Sequence, residues 1–159
     1  MGRTDRVAAF WSDEIGYQYT IGSLPAAMAT IQIRRADELV ANKRKHFEWY
    51  EQRLAMDPRI TMVKEKKDTY ANYTYPSIWL SDEVKVPAPT VVAKLKQLNI
   101  HCRPAFPQMS LFPVFEKEKR FDNPVAKKFM EKGIVLPSAH NLTEEDADFV
   151  CKSLFEVIK

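Results

Sequence analysis

Several features that often reveal a protein's chemistry are scarce in this sequence. Its 159 residues include four glycines, three histidines and two cysteines, and Cys102 and Cys151 lie far apart without a CxxC pair. A disulfide scaffold or thiolate metal site is therefore not expected, and both thiols fit a reduced core. No phosphate-binding glycine loop, dinucleotide fingerprint, GxSxG or HExxH motif occurs. The motifs thus predict no catalytic residue and no metal site in this chain.

Long hydrophobic runs and a dominant charge are also missing. No apolar stretch approaches the roughly 20 residues that cross a bilayer, and the first residues lack the core of a secretion signal. The formal net charge is +3, and the charges are spread through mixed-sign segments such as 34–38 and 115–120. We therefore expect a cytoplasmic protein that binds neither membranes nor nucleic acid.

The sequence does contain a regular succession of helix and strand signals. Hydrophobic residues make up 45% and charged residues 28%, an ordinary globular composition at the length of one domain. Residues 1–22 are typical of an irregular arm, and 23–54 carry a long helical pattern. The rest of 23–159 gives strand, strand, helix, strand, helix, strand, helix. This order predicts an α+β domain with a small, mostly antiparallel sheet, helices on one side, and one long helix in front.

Local signals predict where several of these elements begin and end. Pro76, within the strand pattern of 72–80, predicts an edge strand or a bulge because proline cannot donate to a ladder. Asn123, followed by a proline, predicts a helix start, and Gly133 predicts its end. The aromatic, proline-broken stretch 105–115 indicates a loop packed on a pocket or an interface.

A few polar side chains are candidates for binding. Tyr17, Gln18 and Thr20 supply hydroxyls and an amide ahead of the long helix, which suits a phosphate, although a half-buried polar connection explains them as well. Arg103 lies at the expected end of a strand, and its planar guanidinium suits a phosphate or carboxylate; a surface ion pair is the alternative. His46, among lysines of the long helix, is expected on the surface.

Four stretches in order resemble the DegT/StrS family of sugar aminotransferases, which use pyridoxal phosphate (PLP). They are IGYQYTIGSLPAAM, IQIRRADELVANKRKHFEWYEQRL, LKQLNIHCRPAFPQMSLFPVF and NPVAKKFMEKGIVLPSAHNLTEEDADFVCKSLFEVI. The likeness covers nearly the whole chain and is nearest to the branch that includes the perosamine synthases. It implies the C-terminal small domain of a fold type I aminotransferase, part of an enzyme that transfers an amino group to a keto sugar on a nucleotide in surface polysaccharide or amino-sugar biosynthesis.

The resemblance also implies which residues meet the ligands. In the family a large N-terminal domain holds PLP through a lysine, so we expect no catalytic residue in this chain and no activity from it alone. The family's turn before the long helix reaches the cofactor phosphate of the neighbouring subunit. Gln18 and Thr20 stand where that turn has Asn and Arg, which implies a weakened phosphate contact. Tyr17 and Arg103 are the implied substrate contacts, Arg103 to the anionic part.

The expected partners follow from the same resemblance. They are a second copy of the chain or a separately encoded large domain, with a nucleotide sugar as substrate and PLP bound only in the assembled enzyme. The replaced Asn and Arg leave open a non-catalytic dimerisation or regulatory module that pairs with an intact aminotransferase. A third interpretation is an RNA-binding sheet face with Tyr73, Tyr75 and Trp79, which the dispersed charge disfavours.

Overall fold

The computed structural model describes residues 15–17, 20–118 and 123–159. Within these residues the chain forms five α-helices and four short strands. Two single 3-10 turns lie in the aromatic stretch. The α+β class is as the sequence predicts, and so is the element order, except that the long first helix is divided in two. The elements are α1 (Ser23–Ile33), α2 (Ala36–Leu54), β1 (Ile60–Met62), β2 (Ser77–Leu80), α3 (Ala88–Gln97), β3 (Arg103–Pro104), α4 (Pro124–Lys132), β4 (Gly133–Val135) and α5 (Glu144–Val157).

The long helical pattern is interrupted once, between α1 and α2. Arg34 and Arg35 form a turn, and Arg35 has φ −104° and ψ 12°. Its guanidinium then pairs with Glu38 at 2.6 Å in the first turn of α2. An acidic residue there also suits the positive end of the helix dipole. The expected single helix is therefore two helices, each with its own start.

The four strands form one antiparallel sheet in the order β1, β2, β4, β3. Ile78 of β2 is paired with Met62 of β1 on one side and with Ile134 of β4 on the other. β2 is thus a central strand, and the expected edge position is wrong. Pro76 lies just before β2, where its missing N–H breaks no ladder bond and its carbonyl accepts from the Leu136 amide at 2.8 Å.

One face of the sheet carries the hydrophobic core. Ile78, Leu80 and Ile134 are fully buried there. Cys102 and Cys151 are also buried and free, as expected of core thiols. Each large apolar side chain buried in this way contributes about 1.5–3 kcal/mol. The helices α2, α3 and α5 cover the face with Tyr50, Leu54, Val91, Leu95, Val150 and Leu154.

Helix α4 lies against the opposite face, so the expectation that all helices share one side is wrong. Trp79 alternates with core-facing neighbours in β2, and its ring meets that of Phe129 in α4 with centroids 6.1 Å apart. Gly133, paired with Trp79, makes the close approach possible. A Cβ at position 133 would lie 2.6 Å from the Ala105 Cβ and nearer still to the Phe129 carbonyl oxygen.

The helix ends that the sequence marks most clearly are confirmed. The Asn123 side chain accepts a hydrogen bond from the Ala126 amide at 3.0 Å and caps α4, which ends just before Gly133. Thr143 and Asp146 form a reciprocal capping box at the start of α5. The two caps therefore set where α4 and α5 begin.

Candidate functional site

The residues predicted to bind ligands fall in two separate places. Tyr17 and Thr20 are exposed on the turn before α1, with Tyr17 at 76% exposure. Arg103 lies on β3 and lines a cleft to which neither of them contributes. Gln18 lies outside the described residues. The structure therefore does not bring the two described groups into one site within a single copy of the chain.

The start of α1 offers exposed hydrogen-bond donors. Gly22 is the N-cap, and no side chain caps the helix. The amides of Ser23 and Leu24 belong to the first turn, which has no intrahelical acceptors. Together with the Thr20 hydroxyl, such amides suit the edge of a phosphate site. Threonine adds no positive charge, so the described residues fit one side of a PLP phosphate site and not a complete one.

Helix α1 buries none of its residues. It is also apolar on every side rather than along one stripe. The exposed apolar side chains include Leu24, Met28, Ile31 and Ile33, which are 54–74% exposed. In globular proteins a helix with this pattern is normally covered.

Arg103 is placed by β3 in a cleft of about 350 Å³ at one end of the sheet. It pairs with Val135 of β4, which alternates with the core-facing Ile134, so Arg103 lies on the second face. Lys43 of α2 and His101 line the same cleft. No carboxylate is among the described lining residues, so the charges around this cleft favour an anion.

One side of α2 holds the loop 137–140, which forms a wall of this cleft. The α2 residues that contact this loop are at positions 42, 43, 46 and 50, which recur at helical spacing and so lie on one face of the helix. Burial lowers the pKa of the Lys43 ammonium. The Tyr50 hydroxyl donates to the Pro137 carbonyl at 2.9 Å, Lys43 Nζ donates to the Ser138 carbonyl, and Asn42 Nδ2 donates to the His140 carbonyl at 2.9 Å.

His46 is fully buried, contrary to the expected surface position. Its ring stacks on Trp49 with centroids 5.3 Å apart, and its Nδ1 lies 3.4 Å from the Ser138 hydroxyl oxygen. Its Nε2 has no hydrogen-bond partner among the described residues. Burial, helped by neighbouring cations, lowers the pKa of His46, which favours the neutral imidazole. Its position four residues before the core residue Tyr50 was the signal that could have revealed the burial.

The aromatic residues considered for RNA binding do not share one open sheet face. Tyr73 stacks on Phe47 with ring centroids 3.7 Å apart. Trp79 packs against Phe129, whereas Tyr75 lines the Arg103 cleft. Three rings turned in three directions do not form a stacking platform of the kind that sheet-based RNA readers use.

Two further findings limit the chemistry of the described part of the chain. No group of three or more His, Cys, Asp or Glu side chains in it is arranged to hold a metal ion. None of its helices has both the length and the apolar character needed to span a membrane.

The fold is shared with a class of known enzymes, the aminotransferases. The solved structure of PseC from Helicobacter pylori, an aminotransferase involved in the biosynthesis of pseudoaminic acid, superposes with a TM-score of 0.77 over 98% of this chain and 42% of that chain, at 15% identity. Residues 1–155 match the DegT/DnrJ/EryC1/StrS aminotransferase family, and the chain belongs to that family.

Among curated relatives, two GDP-perosamine synthases align along nearly the whole chain. The protein from Escherichia coli O157:H7 is 29% identical over 147 residues, which are 92% of this chain and 39% of the relative. The protein from Vibrio cholerae is 28% identical over 146 residues, which are 91% of this chain and 40% of the relative. The chain therefore spans about two fifths of the length of these relatives. The family expected from the four sequence stretches is confirmed.

Proposed function

We propose that this chain is the C-terminal part of a PLP-dependent aminotransferase that transfers an amino group to a keto sugar carried on a nucleotide. Its product would serve amino-sugar or surface polysaccharide synthesis in the cytoplasm. The observation that carries the proposal is the alignment of more than nine tenths of the chain with GDP-perosamine synthases. A cleft with Arg103, Lys43 and His101 supports it, because nucleotide sugars carry a diphosphate. No comparable observation favours a non-catalytic module.

The proposed enzyme divides its work between this chain and the part of the relatives that the chain does not span. We assign the cofactor-bearing lysine and most of the PLP site to that other part. When bound, PLP supplies the electron sink that amino-group transfer requires. This chain's own residues then bind and orient the ligands.

The turn before α1 is the proposed contact to the cofactor phosphate of a neighbouring subunit. The Thr20 hydroxyl and the first amides of α1 would donate to phosphate oxygens, and Gln18 would add an amide. Without the bidentate fork of an arginine, this contact is weaker than one made by a charged pair. Tyr17, exposed on the same turn, would meet the substrate.

The exposed surface of α1 supports an assembled enzyme. Apolar side chains such as Leu24 and Met28 are more than 60% exposed in the chain by itself. Burying these side chains against another surface would stabilise the assembly by about 25 cal/mol for each Å² of apolar area removed from water. We propose that α1 packs against the large aminotransferase domain, either of the same enzyme or of the neighbouring copy in a dimer.

A chimeric enzyme tests the proposal. The matching C-terminal region of the Escherichia coli GDP-perosamine synthase is replaced by this chain, and amino transfer to that enzyme's keto-sugar nucleotide is measured. We expect turnover by the chimera and none by the chain alone. Arg103→Gln should raise KM for the nucleotide sugar roughly tenfold or more, because a charge-assisted contact is worth about 1.5–3 kcal/mol. Arg34→Gln, at an exposed arginine away from the cleft, is the matched control.

Two results would contradict the proposal. One is a chimera that folds and binds PLP but transfers no amino group. The other is a chain that holds PLP by itself, shown by borohydride reduction and a modified lysine peptide in the mass spectrum. Either result would separate this chain from the catalytic role of its relatives.

A further inference from the structure

The loop 137–140 forms one wall of the Arg103 cleft and lies in neither a helix nor a strand. Three side chains of α2, from Asn42, Lys43 and Tyr50, donate hydrogen bonds to carbonyls of this loop. These contacts join the backbone of the loop to a distant part of the chain. The position of the wall therefore depends on the side chains that α2 presents to it.

His46 adds a fourth contact from the same face of α2, and it is the one whose side chain normally titrates near neutral pH. Its Nδ1 lies 3.4 Å from the Ser138 hydroxyl oxygen. The ring is fully buried and stacks on Trp49 with centroids 5.3 Å apart. A hydroxyl can donate to a neutral ring nitrogen or accept from it, so either tautomer of the neutral imidazole fits this contact.

A protonated His46 has no partner for its second N–H. Both ring nitrogens of an imidazolium are donors, and Nε2 has no acceptor among the described residues. The charges that act on the ring come from Lys43 and Lys45 of α2 and from His140 of the loop, and no carboxylate of the described part of the chain is among them. An unpaired buried charge is costly. His46 can therefore hold a second proton only if its ring reaches water, which movement of the covering loop would allow.

A second part of the cleft is held by groups that do not titrate near neutral pH. Thr74 and Tyr75 line the cleft, and the stretch before them is clamped by Arg44 of α2. Its guanidinium donates to the Glu65 carboxylate at 2.7 and 3.0 Å and to the Ala71 carbonyl at 2.6 Å. This pairing lowers the pKa of Glu65 to about 2. Mild acid therefore leaves this clamp intact.

We infer that His46 positions the 137–140 wall of the Arg103 cleft, holding it as a neutral ring and releasing it when the ring gains a proton. In the released form the Ser138 contact is broken and His46 reaches water, where histidine has its ordinary pKa of about 6.5. The released form binds the proton more readily, so acidification below about pH 6.5 increases its share. An anion that binds the held form is then bound less tightly. The inference rests on the proposed function only for the statement that the cleft binds an anion.

A nuclear magnetic resonance titration of the full 159-residue chain tests the release. It uses His140→Asn, because the ring of His140 would shift the loop amides by its own titration. We expect the ring signals of His46 and the amide signals of Ser138 and Ala139 to share one midpoint, below about pH 6.5. The Tyr75 amide should not follow this midpoint. His46→Asn in the same background should abolish the shared transition.

Calorimetry with inorganic pyrophosphate then measures what the wall contributes to binding. The unchanged chain and His46→Asn are compared at about pH 7.5 and at about one pH unit below the midpoint of the titration. Because both proteins are compared at the same pH, protonation of the probe, of His101 and of His140 cancels. We expect affinities within about twofold at the higher pH, since asparagine keeps an amide near the Nδ1 position. At the lower pH about one tenth of the chain keeps a neutral His46, so the unchanged chain should bind about three- to tenfold more weakly than the variant.

A matched histidine variant and a second amide variant keep the test decisive. His140→Asn makes the same change at an exposed histidine of the loop. It should lose affinity on acidification as the unchanged chain does. If His46→Asn does not fold, His46→Gln replaces it, because the longer side chain fills more of the volume of the ring.

The outcomes separate this inference from the proposed function. The inference is overturned, and the role of Arg103 left intact, if the loop amides stay unchanged while His46 gains its proton, or if the ring stays neutral until the whole chain unfolds in acid. An equal loss of affinity in the unchanged chain and the His46 variant has the same meaning. If pyrophosphate binds neither protein at about pH 7.5, the anion role of the cleft and the inference fall together. Turnover by the chimera measures the aminotransferase activity independently.

Discussion

One methyl group added at Gly133 should destabilise this fold sharply. In Gly133→Ala the new Cβ would lie 2.6 Å from the Ala105 Cβ and nearer still to the Phe129 carbonyl oxygen. Both neighbours are tied to residue 133 by backbone hydrogen bonds, since Ala105 donates to its carbonyl at 2.9 Å and its own amide donates to Phe129. Overpacking costs about 1–3 kcal/mol, and two tethered contacts point to the upper end. For a chain of this size, about 3 kcal/mol lowers Tm by roughly 6–12 °C.

Unfolding by denaturant and by heat, followed by circular dichroism, measures this loss. Gly22→Ala is the control, because the nearest atom to a Cβ there is Pro25 Cδ at an ordinary 3.8 Å; that change should cost no more than about 1 kcal/mol. Ala105→Gly in the Gly133→Ala background should restore only part of the loss, since the Phe129 contact remains. A loss of stability for Gly133→Ala no larger than that for Gly22→Ala would refute this prediction. It would show that α4 and β3 shift readily to admit the methyl group.

Three other predictions concern hydrogen bonding and pH. Tyr50→Phe removes a buried hydroxyl that donates to Pro137 at 2.9 Å, so denaturant titration should show a loss of about 1–2 kcal/mol; an unchanged midpoint would contradict the bond. Burial lowers the pKa of His46 in the folded chain, so the unfolded chain binds that proton more readily. The contribution of His46 to the free energy of unfolding should be complete above about pH 6.5 and should fall as the pH drops below it. The stability of His46→Gln should depend less steeply on pH over the same range. An equal pH dependence in the two proteins would contradict this prediction. The hydrogen bond from Arg44 lowers the pKa of Glu65 to about 2, so its stabilising effect should be lost as the pH falls from about 4.5 toward 2; a carboxyl titration near 4.5 by nuclear magnetic resonance would disprove the pairing.

Elements governed by nearby residues could be predicted from the sequence. The capping box at Thr143 and the asparagine cap at Asn123 each depend on side chains within three positions, and both are confirmed. The interruption at Arg34 was missed because the apolar pattern carries no signal for a turn between two helix-compatible segments.

Features governed by distant residues could not be predicted. The position of β2 depends on strands at both sides, and one proline outside the paired residues misled the interpretation. His46 looked like a surface residue because its sequence neighbours are lysines, yet the loop at Ser138 covers it. The side of the sheet that α4 occupies is decided by Trp79 and Phe129, which are fifty positions apart in the chain.

The candidate site was predicted in its key residue but not in its surroundings. Arg103 was singled out by its chemistry, and the structure places it in a cleft. Lys43 and Tyr75 join it there from distant parts of the chain, which no local pattern reveals. The stretch 105–115 does line a groove, as its irregular aromatic pattern indicated. The phosphate contact of Gln18 and Thr20 stays a prediction.

The exposed helix α1 has a consequence for how the proposed enzyme assembles. It has 11 residues and buries none of them, and isolated helices shorter than about 12–15 residues are marginally stable in water. Before its apolar surface is covered, α1 should fray, and its amides should exchange with solvent almost as fast as those of an open chain. Covering the helix would order Thr20 and the first turn at the same time. In the proposed assembly, covering α1 and completing the contact of Thr20 to the cofactor phosphate would then be one thermodynamic event.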